Sequence, residues 1–176
     1  EELRIAGIPY RLYGGTQFFD RKEVKDVIAY LKVVDNERDE LSLRRVLNVP
    51  TRGIGEATLK KVKAYAARRN LSFHRALRAA AIDGELSNQA PRGAMSVLAA
   101  TDNARRALDS KQSLVQFTQG FPDATGLAAS IAKHDSAQVT RRRDNLFFPL
   151  RSFTSPEQNN KLTLNQLPTQ LTTRFH

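Results

Sequence analysis

Pro50-Thr51-Arg52-Gly53-Ile54-Gly55-Glu56-Ala57-Thr58-Leu59-Lys60-Lys61 decides how the chain is read. Two glycines flank one isoleucine, and an amphipathic, lysine-rich helix follows at once. Glycine inside a helix costs about 1 kcal/mol relative to alanine, so a Gly-Ile-Gly at a helix start needs a reason. Glycines let a turn expose backbone N–H groups and let a phosphate approach without meeting a Cβ. The isoleucine is expected to anchor that turn in the core beneath. A plain tight interhelical turn is the other reading of the same residues. Charge favours the first: residues 51–80 hold eight basic residues (Arg52, Lys60, Lys61, Lys63, Arg68, Arg69, Arg75, Arg78) against one acid, Glu56.

Outside that window the charge is close to balanced. Residues 1–50 carry nine basic and nine acidic side chains, residues 81–140 five against six, and residues 141–176 six against two. The overall charge of +10 therefore concentrates on one face, for which polyanions are the natural partner. At 176 residues the chain can bury a core as one domain, or as one domain and a fragment. No apolar run approaches 18 residues and no signal-peptide pattern is present, so no membrane span is expected. Zero cysteines exclude disulfides and thiol chemistry and fit a reducing cytoplasm.

Working outward, the pattern is mainly helical. Toward the N-terminus, Tyr10, Leu12 and Arg11 alternate in a short extended stretch over residues 8–13 that Gly14-Gly15 ends. Phe18 and Phe19 read as core aromatics. Asp20 and Glu23 have the spacing of a capping box, opening a helix with Val24, Val27, Ile28, Leu31 and Val34 on one face. Asn36 to Asp39 reads as a polar loop, and Leu43, Val46 and Leu47 as a short helix stopping before Pro50. Beyond the central turn, Leu59, Val62 and Ala66 line one face. Ser72 reads as the cap of a helix burying Phe73, Ala76, Leu77 and Ala80. After a loop at 82–90, Pro91 suits a first turn, and Met95, Leu98, Ala99 and Leu108 support a helix to about residue 108. A helix over Leu114 and Phe117 is expected to break at Gly120-Phe121-Pro122, with Asp123 or Thr125 capping the next and Leu127 and Ile131 inward. Arg141-Arg142-Arg143 opens a segment with Leu146, Phe147, Leu150 and Phe153. A last segment, Leu162 to Phe175, is interrupted by Pro168.

Catalytic signatures are absent from this stretch of chain. There is no Gly-x-x-x-x-Gly-Lys-Ser/Thr loop for nucleotide phosphates and no Gly-x-Ser-x-Gly elbow. His74, His134 and His176 lack metal-ligand spacing. The acids of residues 20–40 sit among matching bases and read as caps and surface pairs. No catalytic, cofactor or metal site is expected here.

Several stretches taken in order carry a resemblance. They are Gly7-Ile8-Pro9-Tyr10-Arg11-Leu12-Tyr13-Gly14-Gly15, Phe18-Phe19-Asp20-Arg21-Lys22-Glu23-Val24-Lys25-Asp26, Ala29-Tyr30-Leu31, and Asn48-Val49-Pro50-Thr51-Arg52-Gly53-Ile54-Gly55. The series resembles UvrD/Rep/PcrA-type superfamily 1 DNA helicases over residues 3–63, with a fainter echo at Arg143-Asp144-Asn145-Leu146 and Thr163-Leu164-Asn165-Gln166-Leu167. The resemblance implies residues 1–15 as the last strand of the second RecA-like (2A) motor domain and residues 16–176 as the helical 2B subdomain, an irregular multi-helix bundle. It implies a mobile, non-catalytic module that swivels against the motor and touches the duplex backbone ahead of the fork. Carried over by residue, Thr51, Arg52, Gly53, Ile54, Gly55 and Thr58 are the implied DNA contacts; Lys60 and Lys61 join them on charge alone. The parent helicase implied is an ATP- and Mg²⁺-dependent, 3′-to-5′ translocase of DNA repair or replication, with its motor motifs outside this chain. Its implied partners are double-stranded DNA near a single-strand junction, the rest of the helicase and repair proteins. Two other readings stay open: a module docking on the motor or on a partner protein, and a stand-alone helix-hairpin-helix DNA-repair module, against which the lone strand at 8–13 argues.

Overall fold

The computed structural model describes residues 20–109 and 120–131 of the 176. Among the described residues the helices in chain order are α1 (Lys22–Asp35), α2 (Glu40–Val46), α3 (Glu56–Arg69), α4 (Phe73–Ile82), α5 (Ala90–Asp109) and α6 (Leu127–Ile131), with residues 120–124 also helical. There is no strand among the described residues. The extended stretch at 8–13, Phe18 and Phe19, the helix over Leu114 and Phe117, and everything beyond residue 131 lie outside them.

α1 is the hub. It packs on α2 and on α5, while α4 packs on α3, α5 and α2. The expected face is present but too narrow: Ala29, Tyr30 and Val33 are buried along with Val24, Val27, Leu31 and Val34. A helix covered from two sides needs a wide apolar surface, and α1 supplies it. Tyr30 is fully buried and donates its hydroxyl to Val49 O at 2.6 Å, a polar atom satisfied at the point where the chain leaves α2.

The capping box at Asp20 does not form. Arg21 is the N-cap and makes no side-chain cap hydrogen bond, while the Asp20 carboxylate pairs with Lys25 at 2.8 Å. An exposed ion pair five residues on has taken the oxygen that a cap would have used. α2 is capped as loop chemistry suggests: Asp39 accepts from Ser42 N at 3.0 Å and from Ser42 Oγ at 2.7 Å. Asp26 is no surface acid. It is buried against Arg45 at 2.9 Å, and loss of solvent pushes its carboxyl above the usual carboxylate range even with that guanidinium beside it.

α3 ends at Asn70, in the left-handed region at φ 49°, and Ser72 caps α4 by accepting from Arg75 N. Phe73, Ala76, Leu77 and Ala80 are all buried, as their spacing predicts. α5 starts at Ala90 with Pro91 in its first turn and ends at Asp109, close to the expected end, though not all of the apolar residues that mark it face inward. Met95 and Ala99 are exposed, and Ala94, Val97, Leu98, Thr101 and Ala104 face inward. Small alanines let α5 lie close to its neighbours, and Thr101 buries its hydroxyl by donating to Val97 O and Leu98 O.

Gly120-Phe121-Pro122 is not a break. Residues 120–124 are helical, and Phe121 is buried edge-on against Tyr30, ring centroids 6.0 Å apart. Burial of the Phe121 ring against α1 favours this helical course despite the glycine and proline beside it. Neither Asp123 nor Thr125 acts as a side-chain cap ahead of α6. Thr125 Oγ donates back to Phe121 O and Pro122 O, and Gly126 at φ 74° turns the chain.

Candidate nucleic-acid interface

The Gly-Ile-Gly stretch is built from behind. α2 ends at Val46, the Val49-Pro50 peptide is cis, and residues 51–55 turn the chain into α3. Asn48 pins the turn: its Oδ1 accepts from Arg52 N at 2.7 Å and from Ile54 N at 3.3 Å. Ile54 is 3% exposed and joins the core, so the anchor expected of it is present. Asparagine in this role is turn chemistry that the sequence reading passed over.

The two glycines are not equivalent. Gly53 has φ +72°, a conformation that a side chain disfavours, and a Cβ there would sit 3.1 Å from Gln89 Cβ. Gly55 has φ −102° with open space around it, and it is the N-cap of α3. Because glycine has no side chain, no cap bond closes this helix start, and the first backbone N–H groups of α3 stay turned to solvent.

A third glycine holds the turn from outside. Gly93 of α5 lies so close to the turn that a Cβ would fall 2.4 Å from Arg52 O. Nothing in the sequence pattern pointed to it except a glycine inside a helix, which by itself signals packing.

The eight expected site residues divide. Thr51, Gly53, Gly55, Lys60 and Lys61 are exposed, Thr58 is half-buried, and Ile54 is buried. Arg52 turns inward. Its Nη1 donates to Pro50 O at 3.2 Å and to Val46 O at 3.4 Å, and its Nη2 to Thr125 O at 2.5 Å. The basic window divides in the same way. Arg68 pairs with Glu85 at 2.9 Å, Arg69 approaches Asp83 at 3.9 Å, and Arg78 pairs with Asp102 at 2.6 Å. Arg68 and Arg69 both stack on Tyr65, whose hydroxyl donates to the Asp83 carboxylate, a bond that raises the phenol's pKa. Lys60, Lys61, Lys63 and Arg75 are exposed, and none forms an ion pair among the described residues.

No group of three metal-binding side chains occurs among the described residues, and no described helix is long and apolar enough to cross a membrane. What the site offers is an exposed glycine turn, a helix start without a side-chain cap, and three lysines over the next two turns that form no ion pair among the described residues. Such a combination favours anions electrostatically.

Residues 1–83 match the UvrD-like helicase C-terminal domain. Over 146 residues the chain is 35% identical to the ATP-dependent DNA helicase PcrA of Bacillus subtilis, covering 83% of this chain and 20% of that protein. It is 38% identical over 150 residues to the ATP-dependent DNA helicase UvrD1 of Mycobacterium tuberculosis, covering 83% of this chain and 19% of the relative. Against PcrA of Staphylococcus aureus the identity is 43% over 77 residues, covering 44% of this chain and 10% of the relative. The chain spans about a fifth of the length of the first two relatives. By these matches the chain is similar to the UvrD/Rep/PcrA type of superfamily 1 helicases.

Proposed function

We propose that the chain is the 2B subdomain of an ATP-dependent 3′-5′ DNA helicase of repair or replication, a non-catalytic module that grips the duplex backbone near a single-strand junction. Residues 1–15 then belong to the 2A motor domain and residues 16–176 to 2B, with ATP and Mg²⁺ bound by the motor outside this chain. One observation carries the reading: Lys60, Lys61 and Lys63 stand exposed and form no ion pair among the described residues, directly after a glycine turn whose helix start lacks a side-chain cap. In this role Thr51, Gly53, Gly55 and Thr58 approach the phosphates closely. Lys60 and Lys61 add attraction, and Arg52 and Ile54 shape the turn. Binding of this kind is independent of base sequence, because phosphates carry none.

The test is a titration of the 176-residue chain with duplex DNA at several salt concentrations. If about four phosphates are contacted, the slope of log affinity against log salt is about −3.6, from about −0.9 per phosphate. Lys60→Gln with Lys61→Gln should flatten it by up to about 2 units without changing the fold. A slope near zero in the parent chain overturns the proposal.

A second reading, docking on the motor or on a partner protein, is favoured by one feature. Leu41 is 81% exposed beside a groove between α1 and α2 that Ile28, Ala29, Lys25, Lys32 and Arg45 also line. A slope near zero for DNA, together with loss of protein association on Leu41→Ser, would favour docking.

A further inference from the structure

A groove of about 460 Å³ opens between the Gly-Ile-Gly turn and the first turns of α5, lined by Arg52, Asn88, Gln89, Arg92, Gly93 and Ser96. Arg92 and Ser96 lie four residues apart and so share one stripe of the α5 surface, with Gln89 in the turn just ahead of it. Each can donate hydrogen bonds, as can the Asn88 amide, and no carboxylate lines the groove. Arg92 is exposed and forms no ion pair among the described residues. Arg68, Arg69, Arg78 and Arg105, by contrast, each have an acid beside them. The groove also adjoins the turn directly. Gly93 presses on Arg52 and Gly53 stands against Gln89, so two glycines hold the α5 stripe against the turn.

We propose that this groove is a second phosphate-binding position, in which the Arg92 guanidinium takes a backbone phosphate and Gln89 and Ser96 complete its hydrogen bonds. The inference rests on the duplex-binding reading and extends it: the nucleic-acid surface runs from α3 across the turn onto α5. A guanidinium suits this position because its planar fork matches two phosphate oxygens at once.

The experiment compares the 176-residue chain with Arg92→Gln and Arg92→Lys in duplex titrations over a range of salt. Circular dichroism serves as the folding control. Arg92→Gln should weaken binding by about tenfold, the scale of a lost charged hydrogen bond, and make the salt slope shallower by about 0.9. Arg92→Lys should recover the slope while recovering only part of the affinity, because charge returns without the fork. In the Lys60→Gln, Lys61→Gln background the Arg92→Gln loss should persist, since separate phosphates are involved. If the parent chain binds steeply and Arg92→Gln matches it, the second position falls and the α3 reading stands. If the parent chain shows no salt-dependent binding, both fall together. A further arm titrates the ¹⁵N-labelled chain with inorganic phosphate. Shifts at Arg92 and Ser96 with phosphate, combined with an unchanged duplex titration of Arg92→Gln, would identify a small-anion site and overturn the duplex assignment.

Discussion

The two ends of α3 put the same kind of charge to opposite uses. At the C-terminal end, Arg68 and Arg69 face Glu85 and Asp83 and stack on the ring of Tyr65. At the N-terminal end, Lys60, Lys61 and Lys63 are exposed with no acid paired to them. Residue type follows use. Arginine suits stacking and forked contacts, whereas lysine is a mobile point charge well matched to a diffuse target. The difference shows that a run of basic residues is a quantity of charge and not yet a surface. Which part of it is available depends on where the acids of other segments land.

The largest expected effect removes the support of the open end. Gly93→Ala places a methyl against the Arg52 carbonyl, and overpacking of this kind costs about 3 kcal/mol at the upper end of its range. Chemical denaturation should show that loss, and duplex affinity should fall with it because the turn is displaced. Next comes the asymmetry within the turn. Gly53→Ala should cost about 1–2 kcal/mol for a left-handed residue carrying a Cβ, whereas Gly55→Ala should cost less, about 0.5–1 kcal/mol for a glycine N-cap exchanged for alanine. Equal losses in thermal melts would mean that the turn relaxes and that the two glycines are interchangeable.

A smaller effect concerns pH. It comes from His74 of α4. It is buried, its Nε2 has no hydrogen-bond partner, and loss of solvent pushes its pKa below the ordinary histidine value, with Glu37, Asp102, Arg78 and Arg105 as the charges around it. The neutral form is therefore favoured in the fold. Below about pH 6.5 the unfolded chain takes up the proton first, so stability is full above that value and falls as the pH drops toward the folded-state pKa. Unfolding free energies from denaturant titrations at pH 5, 6 and 7 should decline toward acid by less than about 1.4 kcal/mol per pH unit, and His74→Phe should flatten the decline. The smallest effect belongs to the closed end. Arg68→Gln with Arg69→Gln should change stability by less than about 1 kcal/mol, because both pairs are more than a third exposed. Duplex affinity should hardly move. A large affinity loss there would erase the distinction between the two ends.

The helices and most of the turn could be read before the structure because they rest on local rules. The burial of Val62, Phe73, Leu77 and Ile54 follows from spacing along one helix or one turn. The inward stripe of α5 was only partly legible because alanines and a threonine, which carry little hydrophobic signal, share it with Val97 and Leu98, while the apolar Met95 and Ala99 are exposed. Ion pairing was illegible for another reason. Arg68 finds Glu85 at a distance of 17 residues, Arg78 finds Asp102 at 24, and Arg105 finds Glu37 at 68. Only the packing of whole helices sets those meetings. Gly93 belongs to the same class, since its reason lies in a carbonyl on another segment.

Arg52 carries a consequence for anyone mapping this surface by substitution. Its guanidinium spans carbonyls of the α2 end, of Pro50, and of Thr125, 73 residues away along the chain. Lysine keeps the charge but has a single nitrogen at its tip and cannot bridge so wide a set of acceptors. A genetic screen for DNA-binding defects would therefore return Arg52→Lys beside Lys60→Gln and Lys61→Gln, and the shared phenotype would conceal different lesions. The lysine variants would lose attraction in a protein of unchanged shape. The arginine variant would lose a brace, and high-copy expression or a lower growth temperature would rescue it alone.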